Sequence, residues 1–170
     1  MKSRICIFLL LLAPVVAAYA QGEKKPRTEA DYRSRTLREL ATLQPDYIAR
    51  SPQHQTADVI VHGDLLPSRV KVLYDGTTRP LVELRKQVIA SWANKFAGAP
   101  EFYTVPYQTE MLFTEDGASY WLVVRKESVA QFEQELKKGD TVELFLIKLG
   151  NARIDDKLEP VLLVETFVKQ

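Results

Sequence analysis

His54, Asp58, His62 and Asp64 put two imidazoles and two carboxylates into one short stretch of the chain. These are suitable ligands for zinc or another divalent ion, and a bound ion could activate water for hydrolysis. On a strand, Asp58, His62 and Asp64 share one face, because alternate side chains do, whereas His54 must fold back from a polar linker. No tight H-x-x-x-H spacing accompanies them. A metal-dependent hydrolase or metal-binding protein using the His62 region is therefore the alternative reading, and the main reading uses no metal and no cofactor.

Other groups that could carry chemistry follow further along. Ser68-Arg69-Val70-Lys71 spells S-x-x-K, a nucleophile motif that needs both side chains on one helical face. The segment reads as a strand, where positions three apart face opposite ways, so the match is taken as chance. Asp155-Asp156 lies in a charged connection beside Lys157 and Glu159. Paired carboxylates work as acid and base only when their surroundings separate their pKa values, and a solvated loop does not. The aromatic set Tyr103, Tyr107, Tyr120 and Trp121, with Arg125, offers a stacking platform for sugars, bases or peptide side chains. Tyr120 and Trp121 are neighbours on one strand, so one is expected in the core and the other nearer the surface.

The elements that must position these groups begin near Ala57. Val59–Val61 and Arg69–Tyr74 read as strands, the second ended by Asp75-Gly76. Pro80 then sits in the first turn of a helix whose Leu81, Leu84, Val88, Trp92 and Phe96 form one apolar stripe. Gly98 stops that helix and Pro100 prevents its continuation. The stretch 103–107 reads as extended. Glu110–Thr114 and Ser119–Lys126 flank Asp116-Gly117, a strong hairpin signal. Ser128-Val129-Ala130-Gln131 matches a capping box and opens a short helix. Asp140–Leu149 and Pro160–Val168 are nearly continuous in apolar residues, as expected of strands covered on both faces, with residues 150–159 as a solvated connection.

Residues 1–20 read as a signal peptide: Lys2 and Arg4, an uncharged run from Ile5, Pro14, then Ala18-Tyr19-Ala20 before Gln21. The apolar run is short for a membrane span, so no stable membrane insertion is expected after cleavage. The mature chain is expected to be exported, to the periplasm or the extracellular space. Cys6 is the only cysteine and lies in the apolar run, which excludes a disulfide scaffold or a thiol nucleophile in the mature protein. Cleavage removes two basic residues and no acid, turning the formal net charge from +1 to −1. That near-neutral balance argues against nucleic-acid binding, which needs a clustered basic excess.

Residues 21–56 are polar and read as an N-terminal arm carrying one marginal helix capped by Thr28. Residues 57–170 are expected to form a single α+β domain. From Arg69 the order is strand, helix, strand, strand, short helix, strand, strand. Setting aside the first helix, this order resembles the OB-fold, a five-stranded, partly open barrel with its helix between strands three and four. The resemblance covers about 100 residues and is one of topology. It implies a barrel with an inserted helix after the first strand, and such barrels host many functions. The sequence has no P-loop, G-x-S-x-G or zinc-protease signature. It points to an exported, non-enzymatic binding or accessory module whose partner is an envelope protein or a surface ligand.

Overall fold

The computed structural model describes residues 27–44, 56–98 and 100–170. The expected signal peptide and His54 lie outside these residues. Seven strands form one sheet: β1 (Arg33–Ser34), β2 (Val59–Val61), β3 (Ser68–Pro80), β4 (Thr109–Glu115), β5 (Ala118–Val124), β6 (Thr141–Ile154) and β7 (Lys157–Lys169). Among the described residues four α-helices accompany them: α1 (Leu37–Thr42), α2 (Glu83–Trp92), α3 (Glu101–Thr104) and α4 (Lys126–Glu135).

The strand order is β1-β3-β4-β5-β7-β6-β2, and β3 also pairs with β6. That second pairing closes β3, β4, β5, β7 and β6 into a five-stranded barrel, with β1 and β2 added outside. The β5–β7 pairing is parallel and the other barrel pairings are antiparallel. The order is compatible with OB-like topology. The barrel is closed, which corrects the expectation of a partly open one. Closure is possible because β3 is long and bulged: it pairs with β6 over Ser68–Leu73 and with β4 from Leu73 to Pro80, shifting register between Tyr74 and Thr78. Gly76 holds φ at +87° in that bulge. Asp75-Gly76 therefore bends this strand where an end was expected.

Helix placement also differs in detail. Thr77–Pro80 belong to β3, so α2 starts at Glu83; it is continued by a π-helical turn, Ala93–Ala97, to Gly98 in the left-handed region. Residues 101–104 form a helix, so Tyr103 and Thr104, expected in an extended stretch over 103–107, are helical. α4 opens at Lys126, ahead of the expected capping box, with no side-chain cap. The solvated connection expected over 150–159 shrinks to a two-residue turn, because β6 and β7 pair all the way to Ile154↔Lys157. Gly150 is required within β6, since a Cβ there would come within 2.0 Å of the Ile60 carbonyl oxygen on β2.

Two apolar clusters result. One fills the barrel with Val70, Val72, Met111, Phe113, Leu122, Leu144, Leu146 and Leu162. The other lies outside, where Val88, Ile89 and Trp92 of α2 cover Val123, Ile147, Leu149 and Leu163. β6 and β7 are therefore buried on both faces, which explains their nearly unbroken apolar sequence.

The N-terminal arm is part of this construction. Thr28 caps only a 3-10 turn, and Thr36 caps α1: its Oγ1 accepts from Glu39 N–H at 3.0 Å while Glu39 accepts from Thr36 N–H at 2.8 Å. Leu37 and Leu40 of α1 are fully buried in the barrel cluster.

Candidate functional site: a split seam in the barrel

The β5–β7 seam is the weak joint of the barrel, with the single pairing Val123↔Leu163. Its geometry follows from two tight hairpins. Asp116-Gly117 (φ 49° and 78°) and Asp155-Asp156 (φ 48° and 61°) both turn in two residues with positive φ, the type I′ pattern. In such hairpins the flanking residues form a hydrogen-bonded pair and the pattern then alternates. On β5 this turns Phe113↔Tyr120 and Met111↔Leu122 toward each other, and leaves Ser119, Trp121 and Val123 aimed at β7. On β7 the same alternation aims Leu158 and Pro160 at β5.

Pro160 has no N–H, so β7 cannot continue the ladder there. The guanidinium of Arg85, from α2, occupies the split. It donates to the Trp121 carbonyl at 2.7 Å, to Glu110 and to Glu159. Arg79 donates to the same Glu110 at 2.7 Å and lays its guanidinium 4.0 Å from the Trp121 ring centroid, a cation–π contact. Arg85 and Glu110 are almost completely buried. A buried pair of this kind does little for net stability while intact, but losing one partner strands the other's charge and costs about 3–5 kcal/mol. Arg85 bridges the two strands at this point, joining the Trp121 carbonyl of β5 to the Glu159 carboxylate of β7. The result is a groove of about 260 Å³ lined by Ala41, Arg85, Ser119 to Leu122 and Lys157 to Pro160.

The structure divides the aromatic set. Tyr120 and Trp121 both line the groove and both are half-buried. Tyr120 packs against the barrel core and Trp121 lies on the other face under Arg79, so of the two expected to divide between core and surface Tyr120 is the one on the core side, and both remain half-buried. Tyr103 and Tyr107 belong to the outer layer instead. Tyr103 meets Trp92 edge-on at 5.0 Å. Tyr107 is buried beneath Arg125, 5.8 Å from its ring, and burial pushes its hydroxyl pKa up to about 12. These three residues therefore share no platform with Trp121; Tyr107 lines a separate pocket of about 160 Å³ between α2 and α3.

Asp58 is exposed and lies 4.0 Å from Arg153, Asp64 is exposed, and His62 is completely buried. Burial, with the nearby Lys148 charge, pushes His62 down to about 4. Among the described residues no three His, Cys, Asp or Glu side chains gather closely enough to hold a metal ion. Ser68 is buried, donating to the Leu66 carbonyl, while Lys71 points to solvent, which separates the S-x-x-K pair.

Arg85, Glu110 and Glu159 were not singled out in the sequence. The signal for Arg85 was present: with Val88 and Trp92 it falls at three- and four-residue steps on the buried stripe of α2. A charge on such a stripe requires a buried counter-charge.

No protein-family model matches this chain, and a search of curated proteins finds no similar sequence. Among the described residues no helix is long and apolar enough to cross a membrane.

Proposed function

We propose that this chain is an exported, OB-like binding or accessory module of the bacterial envelope, non-enzymatic, engaging an envelope protein or surface ligand through the β5–β7 groove. One observation carries the reading: the seam has a single strand pairing, Pro160 beside it lacks a donor, and Arg85, anchored between two carboxylates, takes the place of ladder bonds there. A barrel with no use for that opening gains stability by closing it with ladder bonds, each contributing about 1 kcal/mol. Export rests on the order of charged, apolar and small residues before Gln21.

The test is site-specific photo-crosslinking in the native host, with the photoreactive residue at Ser119 in the groove or at Gln131 on the exposed face of α4. Protein recovered from the envelope fraction should begin at Gln21 by intact mass. One discrete adduct at Ser119 and none at Gln131 supports the groove. Equal labelling at both positions, or none at either, removes it.

A further inference from the structure

We propose that α1 is an acid-released gate of the groove, let go when the buried imidazole of His62 takes up a proton beside the Lys148 ammonium. Such a gate rests on the binding reading above and gives that site its regulation. Ala41 of α1 is part of the groove wall, and Leu122 belongs both to the groove and to the barrel cluster that Leu37 and Leu40 complete. Undocking α1 therefore removes one wall and opens the groove toward the barrel interior. α1 is also a separable piece. It has six residues and two buried leucines, and the carbonyls of Leu40 and Leu43 accept from Lys148 Nζ, each at 2.6 Å. The arm before it keeps its own anchors: Tyr32 meets Phe145 edge-on at 5.2 Å, and Arg27 and Tyr32 both donate to Glu165. Local opening of a segment so weakly packed needs far less free energy than global unfolding.

The trigger sits beneath that helix end. His62 continues the pairing of β2 with β6, its N–H donating to the Leu149 carbonyl at 2.8 Å, and its side chain is completely buried. Neither ring nitrogen has a hydrogen-bond partner among the described residues. Two charges act on it: Lys148 opposes protonation more strongly than the exposed Asp64 favours it. Asn151, also buried on β6, offers an amide and no counter-charge, while Asp58 and Arg153 lie near each other toward the start of β2, 4.0 Å apart. On the far face of β2, α2 contributes apolar contacts to Val59 and Val61. A proton on His62 thus creates a second buried cation beside the one that holds α1, and release lets water reach both. With His62 near 4 while docked and near 6.5 once released, lowering the pH from 7 to 5 favours release by roughly twentyfold.

The experiment is amide hydrogen exchange on the full chain from the host envelope at pH 7 and pH 5, corrected for the intrinsic pH dependence of exchange. Protection at Leu40 and Leu43, whose amides donate to Thr36 and Glu39 carbonyls, should fall at least tenfold at pH 5. Protection at Leu136, which donates to Phe132 in α4, should stay unchanged. In the wild type the His62 ring resonances should titrate with the same midpoint as the loss of α1 protection, a readout that needs no variant. His62→Gln, which cannot take up the proton, should keep α1 protected at pH 5. An apolar fluorescent dye should bind the wild type at pH 5 and not the variant, reporting the opened groove. Equal loss of protection in α1 and α4 would be global acid unfolding and overturns the gate, as does pH-independent protection of α1. A response that survives in His62→Gln belongs to another group, Glu115 at the start of α1 foremost, and also overturns it. The groove reading is judged separately by the Ser119 adduct at neutral pH: with the adduct present and α1 unresponsive, only the gate falls; with the adduct absent, both fall.

Discussion

The two ends of the barrel are closed by different physics. α4 follows the last residue of β5 and closes one end with Phe132 and Leu136. Phe132 stacks on Phe167 at 4.0 Å between centroids and meets Phe113 edge-on at 5.9 Å. At the other end, beside the start of β5, α1 brings Leu37 and Leu40, but charges fix its position. Glu115 accepts from the Leu37 and Arg38 amides at 3.0 and 3.2 Å, and Lys148 donates to the Leu40 and Leu43 carbonyls, each at 2.6 Å. An acid therefore meets the positive end of the six-residue helix and a base its negative end. Lys148 is completely buried, as are the neighbouring His62 and Asn151, whose side-chain nitrogens and oxygen have no hydrogen-bond partner among the described residues. A short helix with two apolar anchors is marginal by itself, so buried ions supply the order that Phe132 supplies by packing.

The largest effect is expected where volume alone holds the structure. Phe132→Ala should cost about 3–5 kcal/mol in urea denaturation, because it opens a cavity among three aromatic rings. Its cost should be the same at pH 5 and pH 8. A clear pH dependence would mean that the α4 end is not the purely apolar plug described.

The α1 end should respond to acid. His62 titrates near 6.5 in the unfolded chain and about 4 when folded. Its contribution is complete above pH 6.5 and is lost as pH falls to about 4, because the unfolded state takes up the proton first. That depression corresponds to about 3 kcal/mol. Replacing His62 with leucine should remove this acid sensitivity, read as the difference between wild-type and variant stability across the window. Parallel curves for the two proteins would contradict a buried, neutral His62.

Lys148 reaches the same end from the alkaline side. Burial lowers it from 10.5 to about 8. Below pH 8 the folded state bears the cost of a buried charge, and between 8 and 10.5 the unfolded chain holds the extra proton, so stability rises with pH by up to about 3 kcal/mol. Lys148→Met should abolish that rise. At pH 7 its net cost should be small, near 1 kcal/mol, since two carbonyls lose their donor while the burial penalty disappears. Hydrogen exchange should then show α1 opening more readily and α4 unchanged.

This contrast also governs what the sequence made legible. Strands and helices whose apolar residues repeat regularly, such as β6, β7 and α2, were readable because periodicity reports burial directly. The α1 plug was not, because two leucines on six residues look like a marginal arm until Lys148 and Glu115, over seventy residues away, are placed at its ends. The same holds for the groove. Trp121 and Tyr120 drew notice as aromatics, whereas the residues that build the opening are charges satisfied across α2, β4 and β7. The bulge at Gly76 read as a strand end because glycine serves both purposes, and only pairing on two sides distinguishes them.

The smallest expected effect tests whether charge, or only hydrogen bonding, fixes the start of α1. Glu115→Gln keeps the side chain's length and one acceptor oxygen, but the Leu37 and Arg38 amides donate to separate carboxylate oxygens, so one of those bonds is lost together with the negative charge facing the helix N-terminus. A charge at that position contributes about 0.3–1 kcal/mol when partly exposed, and Glu115 is half-buried. The loss should therefore be about 1 kcal/mol in low salt and should shrink as salt screens the helix dipole. It should appear as faster hydrogen exchange in α1, with the α4 end unaffected. A loss of the same size at every salt concentration would assign the role to hydrogen-bond geometry. No loss at all would mean that Lys148, at the far end of the helix, holds α1 unaided, and the two ends of the barrel would then differ by one buried cation.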